Sequence, residues 1–397
     1  MCSYTAVCVE NQLQANPDVL VIGAGVMGAS AAHYLARAGA HVRLIEQFRI
    51  GHNRGSSHGE SRIIRLAYPE PDYLALAKSA YALWRDLERE SGATVYYKTG
   101  GLDFGVPEAE TLIELARTYA LNDIEHELVD ANEMMHRYPQ LKLPAHYTGL
   151  YQADYGMLHA DRCVATLAAQ ARAHGAEICE EEPVLKIIVR ADSVEVYTTK
   201  RVHHAARVVL CAGSWMRPLL QQIGIHLPLT VQNEQVVYMR TDQPENFAIG
   251  RFPIFIHRQP GTSSGGAGFP ILGRNSPKFL YHAAGPRVEP DDVDRTPDAG
   301  LRERTRAFAC SVVRGLTGEV DEAVACRYTM TPDEDFLIDR HPAYSHVILA
   351  SPCSGHGFKF GSVVGSILAD LALRGKTSHD ISRFRLDRPA LHNALRQ

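Results

Sequence analysis

The chain is expected to fold as an α/β nucleotide-binding domain of Rossmann-like topology, interleaved with an α+β domain built on an antiparallel sheet. Three observations carry that expectation. The first is VLVIGAGVMGASAAHYLARAG (19–39), an apolar run that ends in G-x-G-x-x-G, opens a helical pattern, and leads into HVRLIE with Glu46 at its tip. The second is HVILASPCSGHGFKFGSVVGSILADLALRG (346–375), which repeats strand, glycine loop and apolar helix near the other end of the chain. The third is a change of pattern between 227 and 335, where LTVQNEQVVYMR, FPIFIH, FLYHA and AVACRYT read as strands punctuated by Pro and Gly.

In the opening unit Gly23 permits the tight turn, Gly25 lets a pyrophosphate approach the backbone, and Gly28 lets the helix pack on the sheet. Val26 and Met27 begin that helix, whose N-terminus offers amide donors and a positive dipole end. Glu46 lies 18 residues beyond Gly28, where a carboxylate holds the ribose of an unphosphorylated adenosine. A bare structural turn is the alternative for such glycines; the surrounding βαβ pattern favours a dinucleotide site.

A loop rich in Gly, Ser, His and Arg (51–62) then leads into IIRLAY, with helical patterns at 72–91 and 108–120 and a half-buried strand expected in GGLDFGV (100–106). Another helix follows near 159–174, then strands near 183–190, 194–199 and 206–212. The last of these, ARVVLCAG, stops at Ala212-Gly213-Ser214-Trp215 and reads as a buried parallel strand returning to the nucleotide sheet. The glycine loop at 354–357 precedes a second helix, whose N-terminus is expected to point into the same cleft. The nucleotide domain is thus discontinuous: 17–95, 151–226 and 336–392, with 96–150 and 227–335 forming the substrate domain and 1–16 an extension.

The length of 397 residues accommodates two domains, and 45 % hydrophobic content is ordinary for a globular enzyme. With 41 basic against 45 acidic residues the net charge is −4, so no electrostatic footprint for nucleic acid or an anionic membrane surface exists. Small molecules are the expected partners. Eight cysteines show no C-x-x-C pair and no metal-ligand spacing, which argues against a disulfide framework and a zinc site, and for a reducing compartment. The first 17 residues lack a basic n-region and an apolar h-region, no run of 18 apolar residues occurs, and LRQ is not the peroxisomal tripeptide. A soluble, cytoplasmic protein is expected.

Four motifs, GAGVMG (23–28), GSSHGESRIIR (55–65), ACRYTMTPDEDFLIDRHP (325–342) and SGHGFKF (354–360), make the chain resemble the monomeric sarcosine oxidase family. That family of flavoproteins includes N-methyltryptophan oxidase and pipecolate/sarcosine oxidase, and the resemblance runs along nearly the whole length. It implies a glutathione-reductase-type FAD fold, a monomer, and FAD attached through a cysteine thioether, for which the matching position is Cys326. An arbitrary cysteine is more often a small buried hydrophobe; its place in the AC-x-YT motif favours attachment, which needs a nucleophilic thiolate. Tyr328, two residues on and on the same strand face, matches an active-site tyrosine, with a packed aromatic as its ordinary alternative.

Lys278 matches the lysine that activates oxygen: the first reduction step makes superoxide, so a fixed cation stabilises the charge that develops. A lone lysine is otherwise solvated surface. His282 matches a histidine lining the cleft, with a satisfied core histidine as a comparable alternative. Arg65 and Lys359 match the pair that holds the substrate carboxylate, one by planar bidentate geometry and the other as a point charge; surface ion pairing is the alternative. His58, Arg62 and Arg65 are spaced four and three apart, as on a helical turn. His58 is a candidate for tuning substrate protonation. The remaining expected cofactor contacts are Ser56, Ser57 and Arg62, then Val184, Gly213 and Trp215, and finally Ser354, Gly355, Gly357 and Phe358.

Three departures bear on specificity. Ser57 stands where bacterial sarcosine oxidases carry a second histidine, Ala267 where a tyrosine covers the substrate, and GTSSGGAG (261–268) reads as a flexible glycine loop in place of an aromatic one. The implied reaction is oxidation of a secondary amino acid, N-methyl or cyclic, to an imine with release of hydrogen peroxide. The alternatives are an FAD-dependent dehydrogenase or demethylase with a non-oxygen acceptor, a nicotinamide-dependent dehydrogenase, and a non-catalytic flavin-binding module.

Overall fold

The computed structural model describes residues 16–260, 265–282 and 285–393, so residues 1–15 of the expected extension 1–16 and Gly261–Ser264 of the glycine-rich segment lie outside the described residues. Two sheets position the site. The first has six strands in the order 337–340, 347–351, 207–210, 19–22, 42–45 and 177–179; only the outermost pair, 337–340 with 347–351, is antiparallel. The expected return of ARVVLCAG is there: Val19–Ile22 pairs with Arg207–Leu210.

Alternate side chains of these strands enter two cores. Val19, Val21, Leu44, Val209 and Ile348 pack with the helices Val26–Arg37 and Gly361–Arg374, while Leu20, Ile22, Val208, Leu210 and Leu349 pack with Val194, Val196 and Leu220. The second core is roofed by a three-stranded antiparallel sheet, Val184–Val189, Val194–Thr198 and Val202–Ala205. Both faces are therefore dry, which is why the strands read as continuous apolar runs. The helices Val26–Arg37 and Gly361–Arg374 touch closely because Gly361 and Gly365 leave room for Val26 and Ser30; a Cβ at either would overlap them.

The second sheet has nine strands and contains all four strand patterns noted between 227 and 335, with Thr230–Met239 paired antiparallel to Val320–Met330. It is mixed, since Gly101–Gly105 runs parallel to Ile254–Arg258. Gly101–Gly105 is fully buried instead of half-buried, because it lies inside the sheet between Ile254–Arg258 and Thr148–Gln152. The strand Thr148–Gln152 runs across the expected division between 150 and 151, and all five of its residues pair with Gly101–Gly105. Tyr96–Lys98 pairs with Gly156–Leu158, which also pairs with Arg62–Ile64, in a small separate sheet.

Two local expectations are corrected. Arg62 to Arg65 is not helical: Arg62–Ile64 is a strand, preceded by a loop. The pairing of Arg62–Ile64 with Gly156–Leu158, distant in sequence, overrides the local spacing. The segment Gly266–Phe269 is likewise a buried strand and not a loop. Its glycines make room for rings, since a Cβ at Gly266 would overlap Phe308 and one at Gly268 would overlap Phe255. Among the described residues no helix is long and apolar enough to cross a membrane.

Candidate active site

A cavity of about 820 Å³ runs from the glycine turn at 23–27, past Glu46, to the loop 352–359 and the nine-stranded sheet. Its nucleotide end fits the ADP half of FAD. Gly23 has φ +96°, a left-handed conformation, and a Cβ there would come within 2.6 Å of the Cys211 carbonyl oxygen. Gly25 is the N-cap of Val26–Arg37 and offers no side chain to the helix amides; the Val26 N–H donates instead to Ser57 Oγ at 3.1 Å. Gly28 is not on the cavity wall but packs beneath the turn, where a Cβ would overlap the Gly23 carbonyl oxygen.

Glu46 is 4 % exposed and lines the cavity. Its two oxygens accept from Ala24 N at 2.7 Å and Phe48 N at 2.9 Å, so it braces the glycine turn from the ribose position. Burial raises its pKa while those backbone amides pull the other way. Val184, Gly213 and Trp215 line the same end. The cradle has the two features an ADP moiety requires, a backbone stripped of Cβ atoms at a helix N-terminus and a buried carboxylate beside it.

Toward the other end Ser56, Ser57, His58 and Arg62 line the wall. Arg62 folds back on its own loop, donating to the carbonyls of Ser56 at 3.1 Å, His58 at 2.7 Å and Ser61 at 2.9 Å, and it lies over the Phe358 ring. Ser56 donates to the Arg327 carbonyl. His58 is buried, its Nε2 has no hydrogen-bond partner among the described residues, and burial with Arg62 beside it lowers its pKa to about 4.

Cys326 and Tyr328 both line the cavity from the strand Val320–Met330, as their two-residue spacing requires. Burial raises the Cys326 thiol pKa, Glu234 adds to that, and the cations Arg62, Lys278 and Arg327 pull it down. Lys278 is 3 % exposed, donates to the Ser61 carbonyl at 2.7 Å and sits 3.8 Å over the Phe269 ring. Burial, with Arg62 close by, holds its pKa well below the ordinary lysine value. An anion forming beside such an amine draws its proton affinity back up.

Arg65 and Lys359 converge on Tyr68. Arg65 lies 5.0 Å over the Tyr68 ring and donates to the Ala67 carbonyl at 2.7 Å; Lys359 Nζ donates to the Tyr68 hydroxyl at 2.8 Å and the His356 carbonyl at 2.6 Å. Burial works against the Arg65 charge, but Tyr155, Tyr68 and Asp103 outweigh it and its pKa is raised. Burial, then Arg65, hold Lys359 well below the ordinary value. Among the described residues neither the Arg65 guanidinium nor the Lys359 amine has a carboxylate in ion-pair contact, and both long side chains line the cavity, as a clamp for a carboxylate ligand requires.

His282 completes the wall, its ring 5.7 Å from that of Tyr328 and its pKa lowered to about 4 by burial, then Lys359 and Arg65. Gly355, at φ +74°, lets these two rings close in, since a Cβ there would overlap both. Gly357 and Phe358 also line the cavity, whereas Ser354 does not: its side chain turns to Thr331, 3.1 Å from that hydroxyl. Sequence reasoning missed Tyr68, His356 and the buried ion pair Arg258–Asp103, 2.6 Å, with Tyr155 donating to Asp103. Tyr68 follows directly on IIRLA and His356 lies inside SGHGFKF, so motif proximity could have flagged both; Asp103 and Arg258 are joined only by strand pairing.

The low histidine pKa values have a measurable result. His58 and His282 stay neutral in the fold until pH approaches 4, whereas an unfolded histidine takes up its proton near 6.5. Stability is therefore expected to fall as pH drops from 6.5 toward 4, by up to ~1.4 kcal/mol per pH unit for each. Urea unfolding at stepped pH checks this; a flat profile between pH 7 and 5 contradicts it.

A family model described as FAD dependent oxidoreductase, DAO, matches residues 18–371. The monomeric sarcosine oxidase of Bacillus sp. (strain NS-129) is 36 % identical over 379 residues, covering 94 % of this chain and 97 % of the relative. The peroxisomal sarcosine oxidase of Mus musculus is 35 % identical over 382 residues, covering 94 % and 96 %. Among solved structures, the open form of NikD, an unusual amino acid oxidase essential for nikkomycin biosynthesis, superposes with a TM-score of 0.84 at 24 % identity, covering 94 % of this chain and 98 % of that one, and shares the fold. With its glycine cradle and buried Glu46 on the wall of one large cleft, the chain belongs to the FAD dependent oxidoreductase family and is an FAD-dependent amine oxidoreductase.

Proposed function

We propose that this protein is an oxidase of secondary amino acids, N-methyl or cyclic, such as sarcosine, other N-methyl amino acids or pipecolate, acting as a cytoplasmic monomer. The observation that carries this reading is the placement of the Arg65–Lys359 pair and of Lys278 on the wall of one cavity. When bound, FAD supplies the two-electron acceptor for the amine and the donor that reduces oxygen to hydrogen peroxide. Arg65 and Lys359 hold the substrate carboxylate and so present the carbon next to nitrogen in a fixed position, a proximity contribution. His58 and His282 line the same cavity and are neutral at physiological pH, so neither places an anion there that would hold a substrate amine protonated. Ile256, Ala267, Phe269 and Leu280 form an apolar wall that excludes water, with Ala267 leaving room for a side chain or ring. Lys278 stabilises the negative charge that develops on oxygen.

The same reading assigns the six-stranded sheet, with residues 17–95, 153–226 and 336–392, to the FAD-binding domain and the nine-stranded sheet to the substrate domain. Six cysteines in the described residues are unpaired, in keeping with a reducing compartment. Oxygen uptake with a panel of N-methyl amino acids and pipecolate is the direct test. Bleaching of the flavin by these amines without oxygen uptake would instead assign a dehydrogenase.

Covalent attachment of FAD through Cys326 is part of the proposal. Its support is the position of the thiol on the cavity wall, with Arg62 and Lys278 pulling its pKa down against burial. Acid precipitation of the holoprotein is expected to keep the yellow colour with the polypeptide, and Cys326→Ala to release it. Free flavin from the wild-type protein would make Cys326 structural.

A further inference from the structure

Away from the cleft, one buried polar side chain has no role in the site. His33, on the helix Val26–Arg37, is 1 % exposed and its Nδ1 has no hydrogen-bond partner among the described residues. A buried ring nitrogen without a partner is costly, so the neighbours of its other nitrogen, Nε2, matter. Glu90 and His174 supply them: His33 Nε2 lies 3.9 Å from Glu90 Oε2, and His174 Nε2 lies 2.7 Å from Glu90 Oε1. One donor atom from each of the three falls within 4.8 Å of the others.

We propose that His33, Glu90 and His174 form a binding site for a divalent first-row transition-metal ion, with zinc as its occupant, that ties together three helices of the nucleotide-binding layer. Two imidazoles and a carboxylate are a zinc ligand set, with a water in the fourth position. At metal–ligand distances of about 2.1 Å, tetrahedral geometry separates ligand atoms by roughly 3.3 Å. The observed 2.7 Å and 3.9 Å, made to the two different oxygens of Glu90, lie on either side of that value, and all three ligand atoms fall within 4.8 Å of one another, so binding an ion requires the part-exposed Glu90 and His174 side chains to rotate inward. Those two side chains are 23 % and 32 % exposed, which gives the ion an entry path and the water a place.

The ligands come from Val26–Arg37, from Pro71–Ser91 and from the end of Ala160–Ala173. They are too far apart in sequence to form a spacing motif, which is why the chain shows none. Arg37 competes for the site: its Nη1 lies 3.2 Å from Glu90 Oε2, and its side chain, 48 % exposed, is free to withdraw. The helix so clamped carries the glycine turn at its other end, so the ion would stiffen the element that faces the cofactor.

Equilibrium dialysis of the holoprotein against zinc, with metal analysis and thermal unfolding, tests this. The expected result is one zinc per chain and a raised Tm, both weakened at least tenfold or lost in His174→Ala and Glu90→Gln. These sites are part-exposed, and retained flavin absorbance reports that the variants fold. Arg37→Gln is expected to bind zinc several-fold more tightly, because the competing cation is gone. No zinc uptake by the wild-type protein, uptake unchanged by His174→Ala and Glu90→Gln, or equal or weaker binding in Arg37→Gln would each overturn the assignment.

Discussion

Replacing Lys278 by methionine is expected to slow the oxygen half-reaction about 10²–10³-fold while leaving reduction by saturating amine within about threefold. Methionine keeps the length of the side chain and its packing over the Phe269 ring but removes the charge and the hydrogen bond to the Ser61 carbonyl. A cation in a site that excludes water acts on a forming anion far more strongly than one in solvent. The other lysine and arginine side chains of the cavity wall among the described residues are held elsewhere: Arg62 is tied to three carbonyls of its own loop, Arg65 and Lys359 are gathered around Tyr68, Arg258 pairs with Asp103, Arg327 donates to the carbonyls of Asp292 and Asp294, and Arg383 pairs with Asp335. Stopped-flow measurement of the two half-reactions separates them. Equal slowing of both would show that Lys278 acts through structure, and Lys278→Arg, which keeps the charge, should recover part of the oxygen rate that Lys278→Met loses. Because the amine is buried, the effect should change little with salt.

The second large effect is expected at the carboxylate clamp. Truncating one partner of a desolvated, hydrogen-bonded charge pair costs about 2–5 kcal/mol, so Arg65→Ala should lower kcat/KM by roughly 30- to 5000-fold. Arg65→Lys should recover little of it, since a point charge cannot reproduce the planar two-donor face. Lys359→Met should behave similarly but less severely, because Tyr68, released from its bond with Lys359, remains beside Arg65. The decisive comparison uses an amine without a carboxylate. The wild-type enzyme should oxidise it poorly, and Arg65→Ala should oxidise it no worse than wild type. A variant that loses as much on the carboxylate-free amine as on the amino acid would place Arg65 in the architecture of the cleft and not in substrate binding.

The nucleotide half of the site was legible in the chain because its determinants are local. Gly23, Gly25, Gly28 and Glu46 belong to one βαβ unit of under 30 residues, where each glycine answers a steric demand and hydrophobic periodicity reports both strands and the helix. The strands at 101–105, 230–239, 254–258, 278–281 and 320–330 were legible for the same reason, and the shared face of Cys326 and Tyr328, positions that motif resemblance supplied, followed from a two-residue strand period. Motif resemblance pointed to Lys278, Arg65 and Lys359, but the chain alone carried nothing about what surrounds them. Tertiary structure alone decided that Lys278 sits between Ser61 and Phe269, that Tyr68 joins Arg65 to Lys359, and that Asp103 pairs with Arg258. It also turned Ser354 away from the cavity and made Gly266–Phe269 a packed strand, although glycine-rich composition suggested a loop. These contacts join segments up to 291 residues apart. Periodicity within a window reports which face of an element is buried, whereas the partner on the other side, and with it burial, charge and pKa, is set by which strands and helices the fold brings together.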